Sequence, residues 1–446
     1  MKIYYGKETK RAIKNFPFSG PRVSFVLLHT IAEIKLAAAR AWVDAGGMSR
    51  AKAKAIIQAA KEIIQGDFDN QFILPALQGG AGTSFHMNVN EVIASRATEI
   101  LSKTRRTLTI HPIDDVNKGQ STNDVVPSAL KIESVRATRK ILTALEKLAN
   151  ALAQKGKEFK NIPKLGRTHL QDAVPIFLGD EFIAYAAMVQ REAERIKLLL
   201  PFLYELNLGG TMVGNGLNAP RRFVESMYRE LRVITGMPLV SARNRMAHTG
   251  AAQDFVALSQ AFTTLTTDLS KMANDLRMLA SGPHGGFGEI MIKEVQNGSS
   301  IMPGKVNPVQ LETINQLHFL VIGNNLSITE AAHGAQLELS AITPLIAERL
   351  LSSAELIYEV IEKALIPCVR HIRANKRACQ DHLERSMAYA TVLVPHLGYD
   401  TVASLVKRAT REHTTLRNVV IQEKLMKEKE FDALVGFSRR RPDFKK

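Results

Sequence analysis

Apolar residues recur three and four apart through Phe255, Leu258, Phe262, Leu265, Leu269, Met272, Leu276 and Leu279. This is the spacing of a helix packed in a bundle, and it stops where Ser281-Gly282-Pro283 breaks the chain. A second stripe, Ile141, Leu145, Leu148 and Leu152, falls in a predicted helix over 124–158. Further helices are predicted over 179–206, 308–338 and 344–375, the last opening with Pro344, a residue that a first turn tolerates. A helix of about 30 residues spans roughly 45 Å. Five of that length exceed one compact globule, so their broad apolar faces are expected to be buried between subunits as well as within one. No uninterrupted apolar run reaches the length needed to span a membrane.

The flanks read differently. Residues 1–119 mix shorter helices with glycine-rich connections such as Gln78-Gly79-Gly80-Ala81-Gly82-Thr83. From 377 onward, short helices are punctuated by Pro395 and Gly398. The expected organisation is all-α in three consecutive domains: 1–119, a long-helix bundle over 120–376, and a small helical domain over 377–446.

Charge adds one question. Of 446 residues, 59 are Lys or Arg and 43 Asp or Glu, a formal net charge of +16. Most basic residues alternate with acids along helical stretches, as on solvated faces. The dense cluster Arg439, Arg440, Arg441, Lys445 and Lys446 is a tail, and no aromatic-rich strand accompanies it as a stacking platform. That argues against nucleic acid as the partner and for a positive field that attracts dianionic substrates. Cys368 and Cys379 have neither metal-ligand spacing nor the numbers of a disulfide framework. With no charged-then-apolar leader at Met1, the expected location is cytoplasmic.

Four polar clusters interrupt the helices: 80–91, 111–124, 166–175, and the loop Gly298-Ser299-Ser300-Ile301-Met302-Pro303-Gly304-Lys305-Val306-Asn307-Pro308 with the downstream acid Glu312. In the second, Ser121, Thr122, Asn123 and Asp124 precede an apolar helix and are good N-caps; a helix N-terminus also attracts anions, so the two roles are compatible. In the third, His169 keeps dense polar company in Thr168, Gln171 and Asp172. The fourth offers hydroxyls, an ammonium and an amide on a backbone that glycines allow to approach a ligand closely. There is no metal-ligand array and no nucleotide-binding glycine fingerprint, so neither metal nor organic cofactor is expected. This set suits binding a small dicarboxylate and removing a proton beside a carboxylate, where N–H groups and an ammonium would stabilise the enediolate. A serine held as an oxyanion by such groups is a plausible base.

The order Ser-Ser-x-Met-Pro-x-Lys-x-Asn resembles the signature of the fumarase/aspartase superfamily, whose members eliminate a group from a succinyl compound to give fumarate. All four clusters match that family in order and spacing. The match opens with Tyr4-Tyr5-Gly6 and Thr9-x-Arg11-Ala12 and runs to Pro395-His396-x-Gly398-Tyr399-Asp400. The resemblance implies a three-domain fold with a central long-helix bundle, a homotetramer, and active sites each assembled from three subunits. It implies that Ser299 takes the C3 proton while Lys305 and Asn307 hold the carboxylate that becomes the enediolate. Thr83, Ser121, Thr122 and Ser300 would bind the other carboxylate. Asn123 and His169 would lie near the leaving group, Thr168 would assist at a carboxylate, and Glu312 would pair with His169 and orient it.

The leaving group divides the family. Ser121-Thr122-Asn123, Asp172-Ala173-Val174-Pro175, Val321-Ile322-Gly323-Asn324 and Gln336-Leu337-Glu338-Leu339 resemble aspartases; His111-Pro112 with Asp114-Asp115-Val116-Asn117-Lys118 resembles fumarases. The balance favours ammonia over water. Departures from the family pattern are Glu8, His86, Gly119, Asn215, His284 and Ser340, none at a position given a catalytic role. A non-catalytic homologue would have lost Ser299, Lys305 or His169, and all three are present.

Overall fold

The computed structural model describes residues 2–103 and 108–435; the basic cluster at 439–446 lies outside the described residues. The chain opens with α1 (Lys7–Asn15), α2 (Phe25–Asp44), α3 (Arg50–Ile64) and α4 (Thr83–Ser102). The long α5 (Thr122–Glu158) leads to a hairpin of β1 (Pro163–Thr168) and β2 (Gln171–Phe177). Then come α6 (Leu178–Lys197), α7 (Leu200–Tyr204), α8 (Arg221–Thr235), α9 (Arg245–Gly250) and α10 (Gln253–Leu279). The remainder is α11 (Val309–His333), α12 (Thr343–Val360), α13 (Ile366–His371), α14 (Lys376–Arg385), α15 (Ala390–Leu397), α16 (Tyr399–Arg411), α17 (Leu416–Gln422) and α18 (Glu428–Val435). No described helix is long and apolar enough to cross a membrane.

The apolar periodicity is realised as packing. All eight residues of the stripe on α10 are buried, as are Ile141, Leu145, Leu148 and Leu152 on α5. Two of the expected helices are interrupted, each at a proline. The stretch predicted over 179–206 breaks after Lys197 and restarts as α7, where Pro201 has no N–H for a helical bond. The stretch predicted over 344–375 passes from α12 through a π-helical turn, Ile361–Leu365, into α13, which carries Pro367.

The chain divides into two compact units, each built from three stretches: 1–143, 192–266 and 317–358 in the first, and 144–191, 267–316 and 359–446 in the second. In the first unit α2 packs on α3 and α8, and α3 on α4. The Glu91 carboxylate in α4 accepts the backbone N–H groups of Gly6, Glu8 and Thr9 and the Thr9 hydroxyl, at 2.6 to 3.1 Å. Helix α1 thus begins against a buried anion where its own residues supply no side-chain cap. Helix α11 carries an exposed apolar strip, Phe319, Leu320, Ile322 and Leu326. In the second unit α14 packs on β1, and Leu165 joins a core with Leu383, Leu393, Val419 and Phe431.

Candidate active site

The first unit holds Thr83, Ser121, Thr122 and Asn123. Thr83 opens α4 after Gly82, whose φ of 92° lies in the left-handed region; its hydroxyl donates to the Gly80 carbonyl at 2.8 Å. Ser121 caps α5 reciprocally. Its Oγ accepts the Asn123 N–H at 3.3 Å, and its own N–H donates to Asp124 Oδ1 at 2.8 Å. Asp124 Oδ2 accepts the N–H groups of Gly209 and Thr211 at 3.1 and 3.0 Å, which ties the glycine-rich segment 209–216 to the start of α5.

A proline positions Asn123. In a helix the N–H of residue 127 would bond to the Asn123 carbonyl, but Pro127 has none. Asn207 Nδ2 takes that carbonyl instead at 3.0 Å, and the Asn123 side chain donates to the Met212 carbonyl at 2.8 Å. Thr122 and Asn123 line a cleft with Ala81, His248, Phe255 and Ser340. Ser340 Oγ is buried there without a hydrogen-bond partner among the described residues.

Behind this cleft lie ionisable groups to which the sequence reading assigns no role in the site. Lys35 is fully buried, donating to Asn117 Oδ1 at 2.7 Å and Gln120 Oε1 at 3.1 Å. Burial pulls its ammonium down to about 7, against the attraction of Asp124. Burial pushes Asp124 up to about 6, against its backbone N–H partners and Lys35. His86 is held well below 6.5 by burial and then by the Lys35 charge. At the cleft wall, burial and the Lys131 ammonium, 3.1 Å from Nδ1, keep His248 low as well. The signal for Asp124 was its place in the run Ser-Thr-Asn-Asp; His86 showed only as a departure from the family pattern.

The second unit holds Thr168, His169, Ser299, Ser300, Lys305, Asn307 and Glu312. Thr168 and His169 sit at the exposed tip of the β1–β2 hairpin, not between helices. Thr168 pairs with Gln171, and the two turn residues, His169 and Leu170, have φ of 53° and 60°. Positive φ at both central positions is the geometry of a tight hairpin turn normally given to Asn-Gly. Non-glycine residues in that region are strained, and such strain gathers at functional sites.

A buried charge cluster clamps the base of the hairpin. Glu289 is inaccessible to solvent; its carboxylate meets Lys164 at 2.7 Å, Arg167 at 2.9 Å and His382 Nδ1 at 3.0 Å. Burial alone would raise Glu289, but Lys164 and the other donors bring it below the usual carboxylate value. Glu289 also stands at the head of the loop that carries the remaining candidates.

That loop is tied across its neck by Asn307 Nδ2, which donates to the Gly298 carbonyl at 2.5 Å. Ser299 Oγ accepts two backbone N–H groups, from Ile301 at 3.1 Å and Met302 at 2.9 Å. Two donors on one hydroxyl oxygen favour its deprotonated form, the condition set above for a serine base. Ser300 and Lys305 are exposed. Glu312 lies 4.0 Å from Arg277, and among the described residues no hydrogen bond or ion pair joins it to His169 within the chain.

Comparison with known proteins covers almost the whole length. A family model described as lyase matches residues 2–323, and one described as fumarase C C-terminus matches 390–439. Aspartate ammonia-lyase of Bacillus subtilis (strain 168) is 40% identical over 97% of this chain and 92% of that protein. Fumarate hydratase class II of Myxococcus xanthus (strain DK1622) is 41% identical over 97% and 93%. Among solved structures, fumarate lyase:delta crystallin from Brucella melitensis bound to cobalt matches with a TM-score of 0.93 at 40% identity, covering 98% of this chain and 95% of that one. Recombinant class II fumarase from Schistosoma mansoni matches at 0.92 and 36%, with the same coverage. Sequence and fold therefore agree from α1 to the small C-terminal helices, and the chain belongs to the fumarase/aspartase superfamily of lyases.

Proposed function

We propose that the protein is an aspartate ammonia-lyase that converts L-aspartate to fumarate and ammonia by anti elimination through an enediolate. The observation that carries this reading is the pair of backbone N–H groups on Ser299 Oγ. In it Ser299 removes the C3 proton, and Lys305 and Asn307 stabilise the carboxylate that takes up the charge. Thr83, Ser121, Thr122 and Ser300 bind the second carboxylate. Asn123 and His169 face the leaving amine, with Thr168 beside a carboxylate and Glu312 orienting His169. No organic cofactor enters the reaction.

Ammonia is preferred over water on the four aspartase-like segments identified in the sequence. Dehydration of L-malate is the second reading, favoured by His111-Pro112 and Asp114-Asp115 and by the equal similarity to a fumarate hydratase. A homotetramer with sites shared between subunits fits the exposed apolar strip on α11 and the lack of an internal Glu312–His169 contact. The deciding experiment supplies purified protein with L-aspartate and L-malate separately and follows the ultraviolet absorbance of fumarate. Fumarate from aspartate alone is expected; fumarate from malate alone would overturn the assignment of the leaving group.

A further inference from the structure

Several threonine hydroxyls inside the helices of this chain discharge their protons locally. Thr143, Thr264, Thr313 and Thr329 each donate to the carbonyl four residues earlier, at 2.9 to 3.1 Å. Thr122 has no such outlet, because it is the first residue of α5 and no helical turn precedes it. Among the described residues its Oγ1 instead meets one group, His86 Nδ1, at 2.8 Å. Both residues are at least nine-tenths buried.

Which atom carries the hydrogen decides what Thr122 can do. A neutral imidazole has one N–H. If it sat on Nε2, Nδ1 would accept the threonine proton, and Oγ1 would turn only lone pairs to the cleft. If it sits on Nδ1, His86 donates, and the threonine O–H is free to point at an acceptor in the cleft. Nε2 is buried with no hydrogen-bond partner among the described residues. An orphaned N–H there would be costlier than a bare ring nitrogen, since unsatisfied buried donors are the rarer kind. A ring with both nitrogens protonated is opposed by burial and by the buried Lys35 ammonium.

We propose that His86 is a positioning residue that donates from Nδ1 to Thr122 Oγ1 and so commits the Thr122 hydroxyl to donate to a substrate carboxylate. The inference rests on the reading of Thr122 as a carboxylate ligand and adds the residue that sets its polarity. His86 touches no substrate, so its effect falls on binding more than on the chemical step.

The test uses the full chain and succinate, a dicarboxylate with no group to eliminate. Calorimetric titration gives its affinity for the wild type and for His86→Leu, His86→Asn, Thr122→Val and the Leu/Val double variant; KM and kcat are measured with L-aspartate and L-malate. His86→Leu is expected to weaken succinate and raise KM by roughly tenfold, the net worth of one hydrogen bond, with kcat little changed. His86→Asn, whose Nδ2 can occupy the place of Nδ1, should recover most of that loss. In the Thr122→Val background, His86→Leu should cost nothing further. Succinate binding by the wild type with unchanged affinity in His86→Leu, or equal losses in Leu and Asn, would overturn this inference alone. A wild type that neither binds succinate nor forms fumarate would overturn both it and the underlying reading of the site. Should His86→Leu fail to fold, His86→Asn against Thr122→Val carries the comparison: an affinity for Asn as poor as for Val overturns the proposal.

Discussion

The carbonyl of Lys305 occupies the space that a side chain on residue 298 would need: a Cβ at Gly298 would collide with that oxygen. The neck of the candidate catalytic loop closes only with glycine there, and the Asn307 amide then reaches the Gly298 carbonyl. Gly298→Ala should therefore open the neck and displace Ser299 and Lys305. Misplacing reacting groups by about 1 Å costs on the order of 10²-fold in rate. Turnover should fall at least that far while the melting temperature stays close to that of the wild type, because the loop adds little to the core. Steady-state assay beside thermal unfolding checks both halves.

Ser299 itself gives a sharper expectation. Its hydroxyl oxygen receives two backbone N–H groups, and alanine leaves those donors with no oxygen to stabilise. Loss of a positioned general base lowers rates by about 10²- to 10⁴-fold. Ser299→Ala should show that loss in kcat with succinate affinity retained. Unchanged turnover would remove Ser299 from the role of base.

Legibility in the sequence followed the range of the interaction. The α10 stripe was readable because helical burial repeats every three or four residues, and the loop 298–308 because its chemistry is contiguous. The β1–β2 hairpin was not. Its turn is His169-Leu170, both in the left-handed region, and without Asn or Gly nothing in the sequence announces a two-residue turn. The breaks at Pro201 and Pro367 fall inside stretches predicted as continuous helix, although each proline lacks the N–H that a helix interior needs. The group formed by Lys35, His86 and Asp124 was hidden for another reason: its members stand on three helices, and only folding brings them together.

Asn207 is a buried hub whose removal has a predictable cost. Its Nδ2 donates to the Asn123 carbonyl and to Thr249 Oγ1, both at 3.0 Å, and its Oδ1 accepts from Ser128 at 3.1 Å. Asn207→Leu would leave the Asn123 carbonyl without the partner that Pro127 denies it. Each unsatisfied buried group costs about 1–3 kcal/mol, so a loss of several kcal/mol is expected in denaturant unfolding. Adding Pro127→Ala should recover part of it, since residue 127 then offers an N–H to the same carbonyl.

Lys35 predicts a pH dependence. Burial brings its pKa down to about 7 in the folded chain, against the ordinary lysine value of 10.5. Between those values the unfolded chain binds the proton and the native chain does not, so stability rises with pH and is lost as pH falls toward 7. The slope from this group is at most about 1.4 kcal/mol per pH unit. Lys35→Met removes it. Neutralising Lys35 would also lift Asp124 further, which tilts the variant the opposite way. The melting temperature of the wild type relative to Lys35→Met, at matched protein concentration, should therefore climb from pH 7 to 10; a flat difference would mean that Lys35 is charged in the native state throughout.

Glu91 accounts for the opening motif. Gly6, Glu8 and Thr9 all donate to its carboxylate, and a Cβ at position 6 would come within 2.7 Å of Glu91 Oε1, so the glycine makes room for the acid. Glu91→Gln keeps the shape but replaces an acceptor oxygen with an amide that donates toward N–H groups already pointing at it. Hydrogen bonds to charged groups are worth about 1.5–3 kcal/mol, and this carboxylate also offsets the positive end of α1. The damage should be local. Amides of α1 should exchange with solvent roughly tenfold faster or more, while those in the α10 stripe keep their protection, because α1 is joined to the first unit through this acid on α4. Equal acceleration in both helices would show instead that α1 and the core open as one cooperative unit.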